Sequence, residues 1–168
     1  MLFSFWQWLE ALSVSRTVRE SLWIFPALEC VHIYSMILLV SIFAIFDLRL
    51  IGFTIDKTTA PSLSRLSRKL LSWGWLCFGV NIITGLLIFS SEAVKMTGNW
   101  AFQLKMGMVL LAVLGHTFVL IKSVRWDGLP VMPLGAKLVG TFSLFLWVAV
   151  ITASRWIAFV SVNPVAMK

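Results

Sequence analysis

The chain has 168 residues, 60% of them apolar and 12% charged. A soluble domain carries about 25% charged residues, so the composition excludes one and defines an integral membrane protein. The formal charge of +7 invites a nucleic-acid reading, yet the basic residues cluster beside apolar stretches, where topology and contact with membrane lipid explain them.

The opening, MLFSFWQWLEAL, lacks a basic n-region and is broken by Glu10, so it does not read as a cleavable signal. Within 2–12, Leu2, Phe5, Trp6, Leu9 and Leu12 fall on one side and Ser4, Gln7 and Glu10 on the other. That pattern predicts an amphipathic helix lying in the membrane interface. Thr17-Val18-Arg19-Glu20 has the capping-box pattern and opens a first span over about 18–46. Pro26 removes one backbone donor and predicts a bend just before Glu29.

A connector follows Asp47-Leu48-Arg49, and Pro61 restarts a helix that carries Arg65, Arg68 and Lys69. Three further spans are expected at about 70–90, 100–122 and 134–159, with the turn-rich stretch Arg125–Pro130 between the last two. The fold class is therefore an all-α, four-helix transmembrane bundle with an N-terminal interfacial helix, one membrane domain over 1–168. Cys30 and Cys77 both fall inside spans, so no disulfide framework is expected. Eight of the fourteen basic residues, Arg49 to Lys69 and Lys122 to Lys137, lie at the ends joined by the first and third loops. Those loops are expected to be cytoplasmic and both termini to be outside, on the periplasmic face of a bacterial inner membrane.

Each span carries a polar stripe. Glu29, His32, Met36, Phe43 and Asp47 share a face of the first. Gly74, Cys77, Asn81, Gly85 and Glu92 do so on the second, and Lys105, Ala112, His116 and Ser123 on the third. Lys137, Thr141, Thr152 and Arg155 line the fourth. Lipid cannot satisfy such groups, so the stripes are expected to turn inward. Depth places Glu29, His32, Lys105 and Arg155 in the outer half, with Asn81 near the middle.

An ion pair of Glu29 with Lys105 or Arg155 could be scaffold alone, and Arg155 lies close enough to its span's end to snorkel outward. Trp23, Trp100 and Trp156 fit an outer aromatic belt, and Met36 fits core filler better than a soft ligand. The two histidines are more specific. Neutral imidazoles on separate helices of a membrane bundle can hold haem b as axial ligands, which makes His32 and His116 candidate iron ligands. Their expected depths differ by roughly 10 Å at 1.5 Å per residue, which weighs against that pairing. Glu29-x-x-His32 has the spacing of di-metal carboxylate bundles, but the second copy and further carboxylates are missing. No Ser-His-Asp set, glycine-rich phosphate loop or Cys-x-x-Cys is evident.

Trp8-Leu9-Glu10, Arg19-Glu20-Ser21-Leu22-Trp23, Phe25-Pro26, Glu29 and His32 resemble the opening of a bacterial inner-membrane family with four spans, a domain of unknown function. Asp47-Leu48-Arg49-Leu50-Ile51-Gly52, Thr84-Gly85-Leu86-Leu87, Asn99, Lys105, Trp147 and Arg155-Trp156-Ile157-Ala158 continue the resemblance over nearly the whole chain. It implies a bacterial inner-membrane protein and no particular activity. Gly115 stands where the family pattern has Asn, and His116 matches no family histidine.

The leading expectation is electron transfer, with haem b or a quinone held by Glu29, His32, Asn81, Lys105, His116 and Arg155. A quinone would accept hydrogen bonds from His32 or Lys105, with Glu29 relaying protons. The rival is a non-catalytic subunit docked to a larger membrane or periplasmic complex. A third reading is a small-molecule or metal-handling membrane protein.

Overall fold

The computed structural model describes residues 2–53, 63–126 and 132–162. The Pro61 restart, the side chains of Arg65, Arg68, Lys69 and Ser123, the loop at 127–130 and Lys168 lie outside what is described. The described chain is helical, in the order α1 (Leu2–Ala11), α2 (Ser13–Glu20), α3 (Ile24–Ile51), α4 (Leu63–Ser91), α5 (Ala93–Thr97), α6 (Trp100–Trp126) and α7 (Leu134–Val162). Four segments are long and apolar enough to cross a membrane: Ile24–Ile51, Ser72–Ser91, Trp100–Val119 and Leu134–Ile157. The all-α, four-span class expected from composition is the one observed.

α3 packs extensively against α4 and α7, and α6 packs on α7 and more loosely on α4. The core sits in two tiers. Leu39, Ala112, Leu146, Trp147 and Val150 form one; Phe46, Leu50, Val119 and Ala136 form the other, toward the end of α3. At that end Gly52 adopts a left-handed φ of 99° and its N–H bonds the Arg49 carbonyl, while Phe53 N–H reaches the Leu48 carbonyl at 3.0 Å. A glycine in that conformation closes α3 without a Cβ clash.

The start of α3 differs from the capping-box expectation. Thr17–Glu20 belongs to the separate helix α2, and the Thr17 hydroxyl bonds back to the Ser13 carbonyl. Ser21 Oγ accepts from Ile24 N–H at 3.2 Å instead, and α3 begins there. Pro26 thus falls in the first helical turn, where backbone donors have no intrahelical partner, so the bend it predicted has no physical cause.

The interfacial layer is tied to the bundle at one end. Glu10 accepts the Val94 N–H at 2.8 Å at the start of α5, and Trp6 packs edge-on against Phe89 of α4. Asn99 caps α6 by accepting from Ala101 N–H at 2.9 Å and donates to the Ile157 carbonyl of α7 at 3.2 Å. Trp23, Trp100 and Trp156 are all exposed around this end, as an aromatic belt requires.

Candidate functional site

Near the end covered by α1 and α5, α3 and α4 are joined by a polar network around His32. The Asn81 amide donates to the His32 carbonyl at 3.0 Å and to Ser35 Oγ at 2.9 Å. Ser35 Oγ in turn donates to the His32 carbonyl at 2.9 Å. His32 Nδ1 lies 3.0 Å from Thr84 Oγ1. Thr84 has a single hydroxyl proton, and its 2.8 Å contact with the Val80 carbonyl takes that proton. Nδ1 of His32 is therefore the donor to Thr84, and Nε2 of the neutral ring is left with its lone pair.

The ring is held from below as well. A Cβ on Gly85 would stand 3.1 Å from His32 Cε1, so glycine lets α4 approach the imidazole. The Lys105 ammonium, from α6, is an electrostatic neighbour of the same ring. A histidine whose second nitrogen is anchored in this way is oriented to accept a proton or bind a ligand at the first.

Three of the expected site residues, His32, Asn81 and Lys105, are thus brought to one region. Glu29 and Arg155 are not part of it. Both are exposed, and neither shares an ion pair with the other or with Lys105 among the described residues. Glu29 sits in the first turns of α3, ahead of the first buried residue of that helix, Ser35. Helical phase put it on the inward side, but the neighbouring helices do not close over that height.

His116 lies elsewhere. Its ring stacks at a tilt on Phe43, 4.0 Å between centroids, and its Nε2 is 3.6 Å from Asp47 Oδ1. Phe43 and Asp47 follow His32 on α3 by eleven and fifteen residues, about 16 and 22 Å along a helix at 1.5 Å per residue. Axial nitrogens on one iron stand about 4 Å apart, each bond being ~2 Å. His32 and His116 of one chain therefore do not converge on one iron in this structure. Among the described residues, no three His, Cys, Asp or Glu side chains cluster as a metal site.

The surroundings of His116 carry no local sequence motif. Ser143 Oγ of α7 lies 3.4 Å from His116 Nδ1, so Asp47, His116 and Ser143 do assemble, from three helices. The signal was Asp47 itself, a carboxylate on the inward stripe; the partner serine carries no local signature.

The fold and its polar network define a four-span helical membrane bundle with an oriented histidine near one face. The chain matches no protein-family description, no curated protein and no solved structure, so the family resemblance stands on its motifs alone.

Proposed function

We propose that the protein is a membrane electron-transfer component that binds a quinone headgroup between α3, α4 and α6. The observation that carries the reading is the donor assignment at His32, which leaves Nε2 as a lone pair on a ring that feels the Lys105 charge. A quinol hydroxyl would donate to Nε2, and Lys105 would donate to a quinone carbonyl, so the two oxidation states each find a partner. His32 would accept one of the two protons released on quinol oxidation and the second would pass to water, while the two electrons would pass one at a time to a one-electron carrier in a partner chain. Glu29, one helical turn toward the α1 and α5 end, would relay the proton from His32 outward. Localisation in a bacterial inner membrane, with both termini periplasmic, belongs to the same proposal. Haem b is the less favoured cofactor, because His116 lies too far from His32 to be its second axial ligand.

Protein purified in mild detergent should carry quinone extractable into organic solvent, and His32→Ala and Lys105→Met should each abolish it. A colourless wild type without extractable quinone, and without tryptophan quenching by an added short-chain quinone, would sink the reading. A sharp α band on reduction with dithionite would favour haem instead.

One observation favours the docking-subunit reading. Glu29 lies exposed six residues beyond Trp23, about 9 Å along the helix. A carboxylate facing outward at that depth calls for a partner. Co-purification of a second membrane chain, lost in Glu29→Leu, would support it.

A further inference from the structure

The unpartnered polar atoms of the bundle gather at the far end from His32. Asp47 Oδ2, His116 Nε2 and Trp147 Nε1 are buried with no hydrogen-bond partner among the described residues. Asp47 is 1% exposed, His116 4% and Trp147 1%. Native interiors rarely leave such groups unsatisfied, and here three residues that touch or flank one ring do so together.

The proton count narrows what belongs there. His116 Nδ1 lies 3.2 Å from the Ala112 carbonyl, which can only accept, so Nδ1 carries a hydrogen. Nε2 of the neutral ring is then a lone pair, and it faces Asp47 Oδ1 at 3.6 Å. An ionised carboxylate at that position would set acceptor against acceptor in an apolar interior. Moving the missing proton onto the ring instead would bury two opposite charges, each stripped of water. Ser143, 7% exposed, has its hydroxyl near Nδ1 and also facing the Asp47 carboxyl, which closes the cluster on the α7 side.

We infer that Asp47 and His116 form an intramembrane proton-binding site, in which Asp47 is a neutral carboxylic acid whose proton is directed at the His116 Nε2 lone pair, 3.6 Å away. Its ligand is the proton, and the nearest opening is a small apolar cleft lined by Phe43, Trp75, Phe78, Val113, His116 and Thr117. Release takes the proton from Asp47 by way of Nε2 to a water molecule, which becomes hydronium. It leaves a carboxylate and a neutral imidazole, and only O–H and N–H bonds change. The charged residues on the packed elements nearest this end are Arg49 on α3, Lys122 and Arg125 on α6, and Lys137 on α7; Lys122 lies over the Phe118 ring. α4 side chains before Ser72 lie outside the described set. The site is independent of the quinone reading, since no residue is common to both.

Infrared spectroscopy of the full chain in lipid vesicles at neutral pH tests it. The wild type should show the carbonyl stretch of a protonated carboxylic acid, shifted on transfer to deuterium oxide. The band should disappear in Asp47→Asn and move to higher frequency in His116→Phe, where the facing Nε2 acceptor is lost. Asp47→Asn should keep the wild-type melting temperature, because its amide presents an N–H toward Nε2 where the neutral acid presents its O–H. Absence of the band in wild type, its survival in Asp47→Asn, or its indifference to His116→Phe would overturn the inference. So would a large drop in melting temperature for Asp47→Asn, because that result means the native carboxylate is ionised.

Discussion

Gly140 of α7 lies directly on the backbone of Asp47: a Cβ there would stand 3.0 Å from the Asp47 carbonyl oxygen and 3.1 Å from Leu50 Cβ. Neither atom can swing aside as the end of a flexible side chain could. Gly140→Ala should therefore destabilise the protein, the overpacking cost of about 1–3 kcal/mol exceeding the ~1 kcal/mol that alanine contributes to a helix. Gly79 offers the control, with nothing within 4 Å of an added Cβ. Gly79→Ala should be neutral or slightly stabilising. Melting temperatures in one detergent decide it, and equal effects at the two positions would refute the close α3–α7 crossing.

Thr84→Val tests the anchoring of His32. Valine keeps the shape of threonine but removes the oxygen 3.0 Å from Nδ1. A half-buried N–H left unmade costs about 1–3 kcal/mol. Thr84→Ser, which restores the oxygen, should recover most of the loss. Beyond stability, Thr84→Val should lower quinone retention, because the ring loses both its orientation and its fixed tautomer. If Thr84→Val and Thr84→Ser melt alike, Nδ1 is not held by this hydroxyl.

Glu29→Gln has a different expectation from the one helical phase suggests. A Glu29–Lys105 pair would make the carboxylate costly to remove, typically ~3–5 kcal/mol for a buried pair broken at one partner. Glu29 is instead exposed and forms no such pair among the described residues. Glu29→Gln should be close to neutral, as surface substitutions usually are. Its effect should add to that of Lys105→Met with no interaction term. A strong drop for Glu29→Gln, recovered by Lys105→Met, would restore the pair.

The class of the protein was legible because hydropathy and length act over twenty residues and average out local error. Helix starts were less so: Thr17-Val18-Arg19-Glu20 satisfies a capping pattern, yet Ser21 is the residue that caps α3. The two signals lie within one turn of each other, and local sequence alone does not choose between them. The site was half legible. Phase put His32, Asn81 and Lys105 on inward faces, where the structure has them. It cannot report how far the bundle closes, so Glu29 and Arg155 were drawn inward with the rest. Nor does a depth count fix neighbours across helices. It flagged the offset of His116 from His32 but could not show that Asp47 and Ser143 lie beside the His116 ring.

Orientation in the membrane gives the last prediction. Eight of fourteen basic residues flank the first and third loops, and positive charge near span ends favours the cytoplasmic side by resisting translocation. The exposed tryptophans Trp23, Trp100 and Trp156 mark the opposite end, together with the α1 and α5 layer. Reporter fusions after Lys57 and Asp127 should accordingly read cytoplasmic, and a fusion after Lys168 should read external. With that orientation the His32 region opens toward the periplasmic face and the Asp47–His116 site toward the cytoplasm. The reverse pattern of fusions would exchange the two. Quinol protons taken up by His32 would then leave toward the cytoplasm, and the proton site at Asp47 would exchange with the outside.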